Sequence, residues 1–151
     1  MSRWRPSVTV AAVIERGGKL LFVEEEANGR RVLNQPAGHL DPGESLVQAV
    51  VRETLEETAH QITPTALLGI YRWRYDKEQE VTFLRFAFLG RVDGVEAGRK
   101  LDEEILAAVW LTPAELAARR AEHRSPLVQQ CVDDFLAGRS FPLDVLSKTY
   151  A

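Results

Sequence analysis

The stretch PAGHLDPGESLVQAVVRETLEET, residues 36–58, decides how the rest of the chain is read. Its first half holds Pro36, Gly38, Pro42 and Gly43, a density of breakers that excludes helix and marks a shaped loop. From residue 45 to about residue 58 Gly and Pro disappear, and Leu46, Ala49, Val50 and Val51 recur at helical spacing, which predicts a helix. In that helix Glu53, Glu56 and Glu57 stand at i, i+3 and i+4, so their carboxylates gather on one side. Leu46, Ala49 and Val50 fall on the same side nearer the N-terminus, so the acids continue a stripe that otherwise reads as core.

Working outward, residues 8–15 and 19–24 are β-rich runs separated by Gly17-Gly18, which predicts a hairpin. Asn28-Gly29 and the short apolar step Val32-Leu33 lead into the breaker-rich loop. Beyond the helix, residues 67–75 and 81–89 are β-prone and joined by the polar DKEQE stretch, and a further strand is expected near 108–111. Thr112-Pro113 and Ser125-Pro126 each offer an N-cap followed by proline at the first helical position. They predict two closing helices, the second running to about Ala137 with Gly138 as its stop. Strands interleaved with helices argue for an α/β fold, a mixed sheet covered by helices, as a single domain over residues 1–151.

Composition excludes more than it selects. With 19 Lys+Arg against 22 Asp+Glu, the net charge of −3 gives no general attraction to nucleic acid, so stable nucleic-acid binding is not expected. No uncharged apolar run approaches the roughly 20 residues of a membrane helix. Arg3 and Arg5 precede an apolar run that Glu15 and Arg16 end at once, so no signal peptide is read and a cytoplasmic location is expected. The single cysteine, Cys131, lies among Val128, Val132 and Phe135 and reads as a core thiol. Oligomeric state is left open.

Acids at the edge of a core stripe need a cation to offset their repulsion. Ligation by oxygen alone favours Mg²⁺ or Mn²⁺, whose remaining positions take water and substrate phosphates. As a bare cluster the acids would more simply decorate a solvated face, but the loop changes the reading. Gly38, Glu44, Arg52, Glu53, Glu56 and Glu57 together fit G-x5-E-x7-R-E-x-x-E-E, a match that chance produces at a given start roughly once in ten million.

On that pattern the chain resembles the Nudix hydrolases, with the signature box at about residues 38–60. Thr54, Ala59 and His60 depart from the family's usual aliphatic, glycine and aliphatic, which puts the helix C-cap in question. The resemblance implies an α/β/α sandwich in which the box cradles a metal-bound diphosphate. It implies Glu53, Glu56, Glu57 and the backbone carbonyl of Ala37 as metal ligands, with Gly38, Glu44 and Arg52 organising the site. A carboxylate takes the proton of the attacking water; Glu53 is one candidate and Glu104, six residues before Trp110, is another.

Outside the box, FLRF at 83–86, RSPLV at 124–128 and FPLDV at 141–145 resemble a phosphatase branch of the family. Members of that branch release orthophosphate from nucleoside di- and triphosphates and act on hydroxymethylpyrimidine diphosphate, a thiamine precursor. Two alternatives stay open: an ADP-ribose or nucleotide-sugar pyrophosphatase, and a binding module that keeps the fold without turnover. Asn34, Trp73 and Arg85 are the expected substrate contacts. Tyr71, Trp73 and Tyr75 alternate on one strand face, and Arg85 interrupts an apolar run. Gln35 is a weaker candidate, Arg72 and Arg74 read as solvent-facing, and His39 has no partner at zinc-ligand spacing.

Overall fold

A computed structural model describes residues 2–75 and 80–147; most of the DKEQE connection therefore lies outside the described residues. The chain runs β1 (Ser7–Arg16), β2 (Lys19–Ala27), β3 (Arg30–Asn34), β4 (Ala37–His39), α1 (Leu46–Thr58), β5 (His60–Tyr75), β6 (Val81–Val95), β7 (Ile105–Leu111), α2 (Pro113–Ala118) and α3 (Pro126–Leu136). Short 3₁₀ turns occupy Arg120–Glu122 and Leu143–Val145.

β1 is the hub. It runs parallel to β6 and antiparallel to β4, and touches β2 only through Glu15↔Leu20 and Arg16↔Lys19 beside the Gly17-Gly18 turn. Both turn glycines have positive φ, 60° and 81°, the geometry that suits the twist of a two-residue hairpin. β2 then pairs with β3 and β7, while β6 pairs with β5. The sheet is mixed, as expected.

The period of two along β1 builds both cores. Ala11 and Val13 face Leu127, Val128, Cys131 and Val132 of α3, whereas Val10, Ala12 and Ile14 face Ala49 and Val50 of α1. Helices therefore cover both faces, and the chain is the expected α/β/α sandwich. Cys131 is fully buried in the first core, as its neighbours implied.

β5 and β6 begin earlier or end later than their β-prone runs suggest. β5 starts at His60 and passes through Pro64, a residue that argues against a strand interior. The pairing with β6 shifts register at Gln61/Ile62, Pro64/Ala66 and Leu67/Gly69, and β5 ends the strand order, so its proline falls at a bulge on an edge strand. The loop at 36–43 likewise contains a three-residue strand, β4, which draws it onto β1.

α1 starts at Ser45, whose hydroxyl accepts from the Gln48 N–H while the Gln48 side chain accepts from the Ser45 N–H. It ends on Ala59, which adopts the left-handed conformation (φ 59°) that glycine would take at lower cost. The other two departures from the box are absorbed locally. The buried Thr54 hydroxyl donates to the Val50 carbonyl at 2.7 Å, and His60 packs edge-on against Trp110 with Nδ1 2.6 Å from the Thr58 carbonyl.

Candidate active site

Two elements present the acids. α1 carries Glu53, Glu56 and Glu57, and β4 lies across them. Gly38 on β4 has no side chain where a Cβ would collide with the Glu53 carboxylate, so glycine here admits the acid rather than serving a turn. The neighbouring Ala37 N–H donates to Glu57 Oε1 at 2.9 Å.

Arg52 holds the other side of the cluster. It donates to both oxygens of Glu44, at 2.6 and 2.9 Å, to Glu53 at 2.8 Å and to Glu56 at 3.3 Å. Its Nη2 also donates to the His39 carbonyl at 3.0 Å, which pins the loop to the helix. The guanidinium holds the Glu44 carboxyl below the usual carboxylate range. Gly38, Glu44 and Arg52 thus occupy positions from which they shape the acid cluster.

The structure adds an acid that sequence spacing did not single out. Carboxylate oxygens of Glu53, Glu56 and Asp102 lie within 4.8 Å of one another. Asp102 is anchored there because its N–H donates to the Glu56 carbonyl at 3.1 Å. Glu57 lies beside this group with one oxygen committed to Ala37. Glu104 is exposed and sits in the cavity wall two residues beyond Asp102. The only signal for Asp102 in the sequence was its membership of the acidic LDEEIL run, where Glu104 drew attention instead.

Burial raises the proton affinity of two of these acids. The Glu57 carboxyl, 8% exposed, is pushed up to about 9, chiefly by desolvation and then by the charges of Glu25, Glu53 and Asp102, with the Ala37 N–H opposing. Glu53 is raised for the same first reason while Arg52 opposes the rise. An all-oxygen donor set this crowded with negative charge suits a hard divalent cation, and Mg²⁺ or Mn²⁺ fits that chemistry. The carboxylate oxygens of Glu53, Glu56 and Asp102 are close enough together that they could hold one, with Glu57 beside them.

The acids open into a cavity of about 440 Å³ whose wall includes Ala37, Gly38, Glu53, Glu57, Asp102 and Glu104. Asn34, Trp73 and Arg85 line the same space, as does His39. Arg85 is 6% exposed and held by two amides: it donates to Gln35 Oε1 at 2.9 Å and to Asn34 Oδ1 at 3.0 Å. Gln35 is in turn fixed by donating to the Val128 carbonyl at 2.9 Å. Among the described residues no carboxylate forms an ion pair with Arg85. A buried cation framed by neutral acceptors at a cavity wall is suited to an anionic ligand.

The three aromatics of that strand face divide. Tyr71 is core, 6% exposed with its hydroxyl donating to Asp134 at 2.7 Å, whereas Trp73 and Tyr75 face open cavities. Glu25 also enters the site unannounced by any motif, and with it Arg124, the first residue of the RSPLV run. Glu25 is buried in the cavity wall, where the pairing of β2 with β7 shifts register, and it accepts from Arg124 at 2.7 Å.

An arginine-clamped acid cluster between a glycine loop and a helix, set on an α/β/α sandwich, defines a hydrolase of the Nudix class. The chain belongs to that family, with residues 3–131 matching the NUDIX domain. It is 34% identical over 143 residues to Phosphatase NudJ of Shigella boydii and to that of Escherichia coli K12, an overlap covering 95% of this chain and 92% of each relative. A solved NUDIX hydrolase from Nitrosomonas europaea superposes with a TM-score of 0.92 at 51% identity, covering 95% of this chain and 97% of that one. The protein is therefore a phosphoanhydride hydrolase by family. Among the described residues no helix is long and apolar enough to cross a membrane.

Proposed function

We propose that the enzyme hydrolyses nucleoside di- and triphosphates in a Mg²⁺- or Mn²⁺-dependent reaction that releases orthophosphate, and that it also accepts hydroxymethylpyrimidine diphosphate. The observation that carries this reading is the shared cavity: the acid cluster and the buried Arg85 line one space. A diphosphate there meets the acids through a divalent cation and the guanidinium directly. The name of the curated relatives, a phosphatase, supports release of orthophosphate over cleavage into two monophosphates.

When bound, the divalent ion supplies charge neutralisation on the phosphate oxygens and lowers the pKa of a coordinated water. Glu53, Glu56 and Glu57 are the proposed side-chain ligands, with the Ala37 carbonyl beside them, and Asp102 joins them from the loop before β7. Arg52 fixes the rotamers of Glu53 and Glu56, so their oxygens need no reorganisation when substrate arrives. Arg85, held rigid by Asn34 and Gln35, donates to a phosphate oxygen and orients the terminal group for in-line attack. Trp73 offers its ring to the base or pyrimidine. Glu53 takes the proton from the attacking water, because it lies within the cluster while Glu104 is exposed in the wall.

Phosphorus NMR on GTP, ADP-ribose and hydroxymethylpyrimidine diphosphate, with Mg²⁺ and then with EDTA, tests the proposal. Metal-dependent orthophosphate from GTP or the pyrimidine diphosphate is expected. Cleavage of ADP-ribose alone, giving two monophosphates, would replace this reading with the pyrophosphatase one.

A further inference from the structure

A second cavity, of about 630 Å³, adjoins the acid-lined one, and the two share Ala27, Asn28, Trp73, Phe83, Arg124 and Ser125. Its chemistry is opposite in sign. The described part of its wall carries Arg30, Arg120, His123 and Arg124 and no carboxylate. We propose that this cavity receives a second phosphoryl group of the substrate, so that the preferred nucleotides carry a phosphate on the 3′ side of the ribose as well as the scissile 5′ diphosphate. The inference rests on the proposed hydrolysis, since it takes the diphosphate to lie against the acid cluster.

Three observations converge. In a chain of net charge −3, three arginines around one cavity are a local reversal of potential. Arg30 and Arg120 form no ion pair with any described carboxylate, and among the described residues the Arg30 guanidinium donates only to the Ala121 carbonyl, at a long 3.4 Å. Arg124 is paired with Glu25 and lines both cavities, so it stands where the sign changes.

The wall between the cavities includes an aromatic pair, Trp73 and Phe83. Trp73 stacks on Phe83 at 5.8 Å with 17° between planes and leans on Tyr75 at 5.4 Å. A base laid on that wall, with its 5′ diphosphate turned toward the carboxylates, puts its ribose at the junction and the 3′ position toward the arginines. Gln129 adds a polar group in the same wall: its Nε2 donates to Asp133 at 2.9 Å, while its Oε1 is buried without a partner. A nucleotide with no 3′ phosphate leaves the basic cavity unused.

The test separates binding from turnover. The protein is titrated with adenosine 3′,5′-bisphosphate and with AMP in EDTA, following tryptophan fluorescence, in wild type and in Arg30→Ala and Arg120→Ala variants checked for folding by circular dichroism. The bisphosphate should bind about tenfold more tightly in wild type, as expected for charge-assisted hydrogen bonds, and each substitution should shrink that ratio. Added salt should shrink it too. Equal affinities in wild type, or a ratio untouched in both variants, would overturn the inference. With Mg²⁺ present, the kcat/KM ratio of adenosine 3′-phosphate 5′-diphosphate to ADP should follow the same pattern. A 5′-diphosphorylated dinucleotide identifies the source: preference for it assigns a phosphodiester, and its rejection assigns a 3′ monoester. If no nucleotide is hydrolysed yet the bisphosphate still binds preferentially, the proposed function fails and the basic subsite stands.

Discussion

Arg52 donates to both carboxylate oxygens of Glu44, at 2.6 and 2.9 Å, and its remaining nitrogen reaches Glu53 at 2.8 Å. One guanidinium therefore ties the loop to the acids that face the cavity. Lysine offers a point charge instead of a planar fork and cannot reproduce the bidentate grip on Glu44 together with the bond to Glu53. Arg52→Lys is expected to lower kcat about 10- to 100-fold and to raise the Mg²⁺ concentration giving half activity, with the fold retained. Steady-state kinetics over a Mg²⁺ series checks this, and an unchanged metal dependence would remove Arg52 from the site.

The raised proton affinity of Glu57 makes metal-free stability depend on pH. Its carboxyl titrates at about 9 in the fold against 4.5 when unfolded, so the folded state holds a proton that the unfolded state has lost. Stability from this group is complete below the unfolded value and is lost as pH rises toward 9. Urea denaturation in EDTA should therefore show falling stability from pH 5 to pH 9. Glu53 adds to the slope because it too is raised. Saturating Mg²⁺ should flatten the slope, since ligation displaces the proton. Glu57→Gln should leave only the smaller Glu53 part of the slope without metal, keep an acceptor for the Ala37 N–H, and cut turnover by orders of magnitude.

Removing Arg85 has a cost in the apo fold as well as at the substrate. Arg85→Met leaves Gln35 Oε1 and Asn34 Oδ1 without their donor in a buried setting. A loss of ~1–3 kcal/mol is expected, measured by denaturant unfolding. Arg85→Lys should retain more of the stability yet raise KM for nucleotides. If KM were unchanged in the lysine variant, the guanidinium would be structural only.

Ala59 ends α1 in the left-handed region, where its Cβ is crowded. Ala59→Gly should stabilise the protein by ~0.5–1 kcal/mol, the relief of strain exceeding the added freedom of the unfolded chain. Activity should be unaffected, because none of the acids moves. A thermal melt showing destabilisation would mean that the buried methyl contributes more than the strain.

The sequence by itself determined the elements whose cause is local. Helical spacing in residues 45–58 placed α1, and the i, i+3, i+4 offsets put Glu53, Glu56 and Glu57 on one side. The alternation of β1 likewise encodes a strand with two buried faces. Only the tertiary structure decided what comes from far along the chain. Asp102 reaches the acids through a backbone bond to Glu56, Arg85 is set by amides about 50 residues away, and Arg124 meets Glu25 across 99 positions. The full length of β5 was hidden for a related reason, since Pro64 is tolerated there by a bulge that depends on its partner strand. Local periodicity records backbone geometry, whereas these contacts depend on which strands become neighbours, and no short-range pattern carries that information.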